Sequence, residues 1–339
     1  MSKRFRAVIT DLIVDSLEPE RAVLGDVAEV VALDAHDERE LAGRIEDADA
    51  VMLYHTVGLS KRTIELLSHC RAIVRCGVGY DNVDCEAALR CGIPVMNVPD
   101  YGTEEVADSA IGLMLALTRG IAPLNTRLRG GDRPWHYSEA GPLYRLRGRV
   151  FAIVGLGRIG TAAAIRAKAF GMDVWFYDPC KPDGYDKAIG VRRADSLDEL
   201  LARAQVLSLH CPLTAENSHM INAAAINSMA MGSYLVNTAR AGLVETAAIP
   251  DAIASGRLAG AGIDLLETDP PSDSDPLFRA WKDAKHPAFE RVLLNPHSAF
   301  YCVEGVTEMR RKGAEACRRA LLGLQLRNVV NHFGVRTYP

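Results

Sequence analysis

Along the first hundred residues, short apolar runs at 7–13, 50–54, 72–76 and 93–98 alternate with stretches at 38–45, 61–69 and 84–91 that have a helical period. Apolar runs too short for helices are the pattern of strands covered on both faces. Strands and helices in alternation require crossover connections, so residues 1–102 are predicted to form a parallel βα unit. A longer helix is predicted at 104–119, where Val106, Ala110, Leu113 and Leu117 fall on one face behind Thr103 as N-cap. It could bridge two domains. Residues 130–148 mix Gly, Pro and charge without a period and read as an irregular connection. Within that connection, Trp135 and His136 are open between a contact with a partner subunit and a loop anchor.

A second series follows. Strands are predicted at 150–154, 173–177, 206–209, 234–237, 260–265 and 292–294, with helical stretches such as 161–170 and 247–255 between them. That spacing predicts a doubly wound parallel sheet. The amphipathic stretch 303–324 comes after the last strand with nothing of its own to pack on, so it is expected to return to the first domain. The expected fold class is α/β, with two Rossmann-like or flavodoxin-like parallel-sheet domains and a cleft between them. Residues 1–102 plus 302–339 would form a discontinuous substrate domain, and residues 103–301 a nucleotide-binding domain.

Composition narrows the field. With 339 residues, 48% hydrophobic and 24% charged, the chain can bury large cores. Its formal charge of -4 excludes a bulk-basic binder, so no direct nucleic-acid partner and no membrane partner is expected. No apolar run approaches the ~18 residues of a spanning helix, and the N-terminus turns polar at Asp11 before a secretory core develops. A cytoplasmic protein is expected. Eight cysteines are scattered without a CxxC pair or a metal-ligand spacing, which points to reduced packing residues, with neither a disulfide framework nor a metal site.

The strongest chemical signal is VFAIVGLGRIG at 150–160, where Gly155, Gly157 and Gly160 form GxGxxG between a strand and a helix. The first glycine permits a tight turn, the second admits a pyrophosphate to the backbone, and the third lets helix and strand pack closely. Ala162, Ala163, Ala164 and Ala167 supply the packing face of the following helix. The next strand ends at Asp178, where a carboxylate can bind adenosine ribose hydroxyls and repel a 2′-phosphate. NAD(H) is therefore favoured over NADP(H). An S-adenosylmethionine fold is the other use of such a loop, with a less regular glycine pattern.

Three polar residues follow later strands: Arg240, Asp269 and His297. Ligands of parallel sheets bind beyond the carboxyl ends of the strands, so all three can converge on one site. Arg240 offers a charged fork for a carboxylate or polarised carbonyl, and His297 can donate a proton near neutral pH. An acidic neighbour would favour its imidazolium form. This set suits reduction of a 2-keto acid.

These motifs form an ordered series: RCGVGYDNVD at 75–84, GLGRIG at 155–160, HCPLT at 210–214, NTARAGLV at 237–244, AGID at 261–264 and NPHSA at 295–299. In this respect the chain resembles the NAD-dependent D-isomer-specific 2-hydroxyacid dehydrogenases over almost its whole length. Tyr54, His55, Thr56, Arg75 and the stretch 166–179 make it most similar to the branch that includes C-terminal-binding proteins.

The resemblance implies a substrate domain built from both chain ends, a hinge-closing cleft and a homodimer. It makes His297 the general acid/base, Arg240 the group that binds and polarises a small 2-keto or D-2-hydroxy acid, and the N–H groups of Gly77, Val78 and Gly79 the carboxylate site. NAD contacts are implied at Gly155, Leu156, Gly157, Arg158, Ile159, Gly160, Asp178, Cys211, Pro212, Thr238, Ala239, Arg240, Asp264 and His297. The chain departs from the pattern twice. Asp269 stands where the family usually has Glu, with Glu267 as an alternative acid, and Phe300 replaces a Trp. Arg75 is open between a second substrate cation and a partner for an acid such as Asp84, and His55 between a structural and a catalytic role. Two further activities are compatible with these residues: an NAD(H)-sensing corepressor, and oxidation of a non-carboxylate oxyanion such as phosphite.

Overall fold

The computed structural model describes residues 4–131, 134–268 and 270–331. The chain divides into two compact units, Met1–Gly102 with Tyr301–Pro339, and Thr103–Phe300.

The first unit is built on a five-stranded parallel sheet of β1 (Phe5–Ile9), β2 (Ala28–Ala32), β3 (Ala50–Leu53), β4 (Ile73–Arg75) and β5 (Val95–Asn97), in the order β2-β1-β3-β4-β5. β3, β4 and β5 are wholly buried, which is why they read as unbroken apolar runs. β2 was not anticipated. It lies at the sheet edge, and Glu29 faces solvent in mid-strand, so it lacks such a run. One face packs Val8, Val51, Leu53 and Ile73 against Leu41, Ile45 and Ile64. The helix Val303–Leu321 lies on the other face, so close that a Cβ on Gly313 would stand 2.5 Å from Cys76 Sγ. Arg310 fixes that helix to Glu18–Leu24, donating to buried Glu20 at 2.6 and 2.7 Å and to Asp15 at 2.6 and 2.8 Å. The segment after this helix returns along β5, with an antiparallel bridge between Met96 and Val329.

The second unit carries seven parallel strands: β6 (Val150–Val154), β7 (Asp173–Tyr177), β8 (Arg192–Arg193), β9 (Val206–Leu209), β10 (Ser233–Asn237), β11 (Leu258–Ile263) and β12 (Val292–Leu294). Their order, β12-β11-β10-β9-β6-β7-β8, reverses direction at β6, which makes the β6/β9 boundary a topological switch point. The helix Thr103–Thr118 crosses β11 where two glycines leave room: a Cβ on Gly262 would lie 2.9 Å from Leu113, and one on Gly260 would lie 3.0 Å from Leu117. Thr103 is the first residue of that helix. The helix Ile121–Arg129, which buries none of its side chains, was not anticipated, although Ile121, Leu124 and Leu128 recur at helical spacing.

The helical stretch expected at 38–45 is only a 3-10 turn, Glu38–Leu41, because Gly43 turns left-handed at φ 78°. Among the described residues no single helix is long and apolar enough to cross a membrane. All eight cysteines are free. The expectation that they are mostly packing residues needs correcting: Cys76 and Cys317 are buried, Cys91 and Cys180 are exposed, and the other four are intermediate.

Candidate active site

Strand register assembles the site. Leu294, Ile263, Asn237, Leu209, Val154 and Tyr177 are partners in one row across six neighbouring parallel strands. The residues just beyond that row are His297, Asp264, Thr238 with Arg240, His210 with Cys211, Gly155, and Asp178. Residues far apart in sequence thus lie along the carboxyl edge of one sheet.

The glycine loop divides its labour as the spacing predicts. Gly155 has φ 88°, and a Cβ there would meet Cys211 backbone at 2.7 Å. A Cβ on Gly160 would stand 2.1 Å from the Gly155 carbonyl oxygen, so only glycine lets the helix Arg158–Ala169 start this close to β6. A Cβ on Gly157 would meet nothing within 4 Å, which is the open backbone a pyrophosphate needs. The predicted start of this helix, at 161, comes late because Gly157 is already its N-cap. Asp178 does more than await a ribose: one carboxylate oxygen accepts from the Leu156 N–H at 2.8 Å and the other from the Cys180 N–H at 2.9 Å. These bonds fix the carboxylate and leave lone pairs for hydroxyl donors.

Two buried atoms along this edge, Thr238 Oγ1 and His210 Nδ1, have no hydrogen-bond partner among the described residues. Buried polar atoms in folded proteins are nearly always paired, so these two, beside an open glycine backbone, fit a dinucleotide with polar groups to offer. The other nitrogen of His210 meets Ser208 Oγ at 2.9 Å, and burial pulls the imidazole pKa down to about 4. Burial pushes the neighbouring Cys211 thiol up to about 12, so it serves as packing under Gly155.

The catalytic candidates sit on braced turns. Asn237 accepts from the Ala239 N–H at 3.0 Å and donates to the Arg240 carbonyl at 2.8 Å, closing the turn that carries Arg240. The Arg240 guanidinium donates to the Ala239 carbonyl at 2.8 Å. His297 adopts a left-handed backbone, φ 48°, uncommon for a residue with a Cβ. Asp264 holds it there. Its carbonyl accepts from the His297 N–H at 2.7 Å, and its carboxylate accepts from the Ser298 N–H at 3.0 Å and the Ala299 N–H at 3.1 Å. Burial raises the Asp264 pKa, and those N–H bonds together with Asn295 oppose the rise. The ring of Phe300 meets that of His297 edge-on, with centroids 5.8 Å apart.

In the first unit the loop after β4 turns its carbonyls inward. Gly77 accepts from the Val98 N–H at 3.1 Å, and Val78 from the Asn97 amide at 2.7 Å. Among the described residues the N–H groups of Gly77, Val78 and Gly79 have no protein acceptor, an arrangement suited to an anion. Gly77 is compulsory: at φ 150° its Cβ would fall 1.6 Å from Arg75 Nη1. Arg75 is buried and donates to the Cys76 carbonyl at 3.1 Å, with Asn82 Oδ1 at 3.5 Å. Asp84 instead caps the helix Cys85–Arg90.

Residues 111–299, more than half of the chain, match the family described as D-isomer specific 2-hydroxyacid dehydrogenase, NAD binding domain. The chain belongs to that family. A D-3-phosphoglycerate dehydrogenase from Methanocaldococcus jannaschii is 34% identical over 91% of the chain and 56% of its own length. C-terminal-binding protein 1 from Caenorhabditis elegans is 33% identical over 90% of the chain and 42% of its own length. The chain thus spans about half the length of the curated relatives it matches. The D-lactate dehydrogenase of Aquifex aeolicus, solved with NAD and lactic acid, superposes with a TM-score of 0.83 at 25% identity, covering 94% of this chain and 96% of that one. The dehydrogenase family fixes the cofactor as NAD, and the two parallel sheets match its solved members.

Several bracing residues of this 2-hydroxyacid dehydrogenase family member escaped the sequence reading. Asp11 is one: its buried carboxylate accepts from the N–H groups of Tyr54, Thr56 and Val57 at 2.8–3.2 Å and from the Thr10 hydroxyl at 2.6 Å. Asn82 is another, donating to the carbonyls of Tyr54 and Val57 at 2.9 Å. Together they hold the half-buried His55 in a rigid loop. Asn82 stands inside the quoted motif at 75–84 and could have been noticed; Asp11 follows the first strand with no partner visible in sequence. Asp269 lies outside the described residues. Glu267, the alternative acid, meets the imidazole of His219.

Proposed function

We propose that the protein interconverts a 2-keto acid and its D-2-hydroxy acid. NADH, when bound, supplies the hydride for C2. His297 donates the proton to the carbonyl oxygen, and Arg240 draws electron density toward that oxygen while pairing with the substrate carboxylate. The N–H groups of Gly77, Val78 and Gly79 bind the carboxylate, with Arg75 beneath them as a second cation. Asp269 keeps His297 protonated and oriented. One observation carries this reading: the single register row that places Arg240, Asp264 and His297 just past three adjacent strands, on the same edge as the glycine cradle. We also propose a homodimer, which is supported by apolar side chains left in solvent on the second unit, Ile121, Trp135, Tyr137 and Tyr144.

The test is NADH consumption with glyoxylate, pyruvate, hydroxypyruvate, phenylpyruvate, 4-methylthio-2-oxobutyrate and 2-oxoglutarate, repeated with NADPH. We expect turnover with NADH, and His297→Ala should lower kcat by roughly 10²–10⁴-fold with little change in NADH affinity. Equal rates in wild type and variant would remove His297 as proton donor. The similarity to C-terminal-binding protein 1 favours a second reading, an NAD(H)-sensing assembly protein. NADH binding that tightens a dimer, with no turnover of any keto acid, would put that reading first.

A further inference from the structure

Segment 212–221 closes on itself and touches two other parts of the second unit. At its start Asn217 donates to the Pro212 carbonyl at 2.8 Å and accepts from the Thr214 N–H at 2.7 Å. At its end the His219 N–H donates to the Gly242 carbonyl at 2.7 Å, the Ile221 N–H to Leu243 at 3.0 Å, and the Glu245 N–H returns to Ile221 at 3.0 Å. Gly242 is two residues past Arg240. The second outside contact is the His219 side chain, whose Nε2 meets the carboxylate of Glu267, two residues before Asp269. His219 adopts a left-handed backbone, φ 51°, which its N–H bond to Gly242 helps to hold.

We propose that His219 and Glu267 are positioning residues: their contact locks the loop that carries Asp269 to the segment bracing Arg240, and Glu267 is not itself the catalytic acid. The proposal rests on the roles given above to Asp269 and His297. Both side chains are half exposed, at 47% and 50%, and an exposed pair adds little to stability. Its leverage is geometric. Aspartate has a single methylene, so any displacement of its loop passes directly to the carboxylate, and a shift of about 1 Å can cost as much as 10²-fold in rate.

The test compares His219→Ala, Glu267→Ala, the double variant, Glu267→Gln and Asp269→Asn, with the keto acid turned over fastest. Three readouts are needed: kcat, KM and NADH affinity by fluorescence. We expect each alanine variant to lower kcat about tenfold at unchanged KM and NADH affinity, with the double variant no slower than either single one. Glu267→Gln, which keeps an oxygen for the imidazole N–H, should recover most of the rate. Asp269→Asn should be slower still and should move the pH profile. Wild-type rates in both alanine variants, or losses that simply multiply, would overturn the proposal. A Glu267→Gln variant as slow as Glu267→Ala, with His219→Ala unaffected, would make Glu267 the acid. Undiminished rates in Asp269→Asn and His297→Ala would refute the underlying reading instead, whatever the alanine variants do, and absence of turnover with every keto acid would remove both.

Discussion

The two sheets end differently. Where β1 and β3 of the five-stranded unit run out, two side chains brace the loop backbone: the carboxylate of Asp11 accepts from three backbone N–H groups and a hydroxyl, and Asn82 donates to two carbonyls. At the corresponding edge of the seven-stranded unit, Thr238 Oγ1 and His210 Nδ1 find no partner among the described residues, and Gly157 faces open space. In the five-stranded unit the backbone of the loop after β3 is braced by side chains, while the Tyr54 hydroxyl and the N–H groups of Gly77, Val78 and Gly79 have no partner among the described residues; in the seven-stranded unit the groups left over lie beside the open glycine loop. A loop braced by its own side chains is rigid; an edge with unspent donors and acceptors holds a ligand that completes them.

This contrast is sharpest at Asp11. Replacing it with Ala would leave the N–H groups of Tyr54, Thr56 and Val57 and the Thr10 hydroxyl without their acceptor, all but Thr56 on buried residues. At about 1–3 kcal/mol for each buried group left unsatisfied, and with some relaxation, we expect at least about 3 kcal/mol of destabilisation by urea unfolding. NADH affinity should hold as long as the protein is folded, because Asp11 belongs to the braced loop. A large loss of NADH affinity in a folded Asp11→Ala protein would erase the distinction between the two edges.

The open edge should show itself through pH. Burial keeps His210 neutral, with its pKa brought down to about 4 from the usual 6.5. Between those values the unfolded chain takes up a proton that the folded protein refuses. Stability is therefore fully present above pH 6.5 and declines as pH falls toward 4, by up to about 3 kcal/mol from this group. Unfolding free energies of wild type and His210→Gln should diverge over that window, with the variant losing less on acidification. Parallel curves would mean that water reaches the imidazole.

How much of this was legible in sequence follows from what each feature depends on. β6 and β9 have the predicted boundaries because buried inner strands leave continuous apolar runs, and β7 and the edge strand β12 have them because they too are short and rich in apolar residues. The three glycines were readable because each role is a local backbone demand. β2, interrupted by the solvent-facing Glu29, and β8, two arginines, were invisible because neither is a continuous apolar run. Asp264 was assigned to the cofactor, and only the register of β11 against β12 shows its carboxylate bracing the turn of His297. Arg75 was open between substrate and an acidic partner. The structure places it under Gly77, on the Cys76 carbonyl and near Asn82, contacts that the sequence did not announce. Contacts of this kind depend on chain segments brought together from a distance, and one-dimensional patterns do not carry them.

The smallest expected effect is the most discriminating. Thr238 is 7% exposed and its hydroxyl oxygen has no partner among the described residues, so without a ligand it carries a desolvation cost without return. Valine matches its shape without the hydroxyl. Thr238→Val should therefore leave the ligand-free protein as stable as wild type, or more stable by up to about 1 kcal/mol, while weakening NADH binding about threefold to tenfold, the worth of one net hydrogen bond. Calorimetric titration with NADH and thermal unfolding with and without it would separate the two terms. Opposite signs for stability and affinity are what an edge left incomplete for its ligand requires. A valine variant destabilised without NADH would show that the hydroxyl already has a partner, and the contrast between the two sheets would then rest on Gly157 and His210 alone.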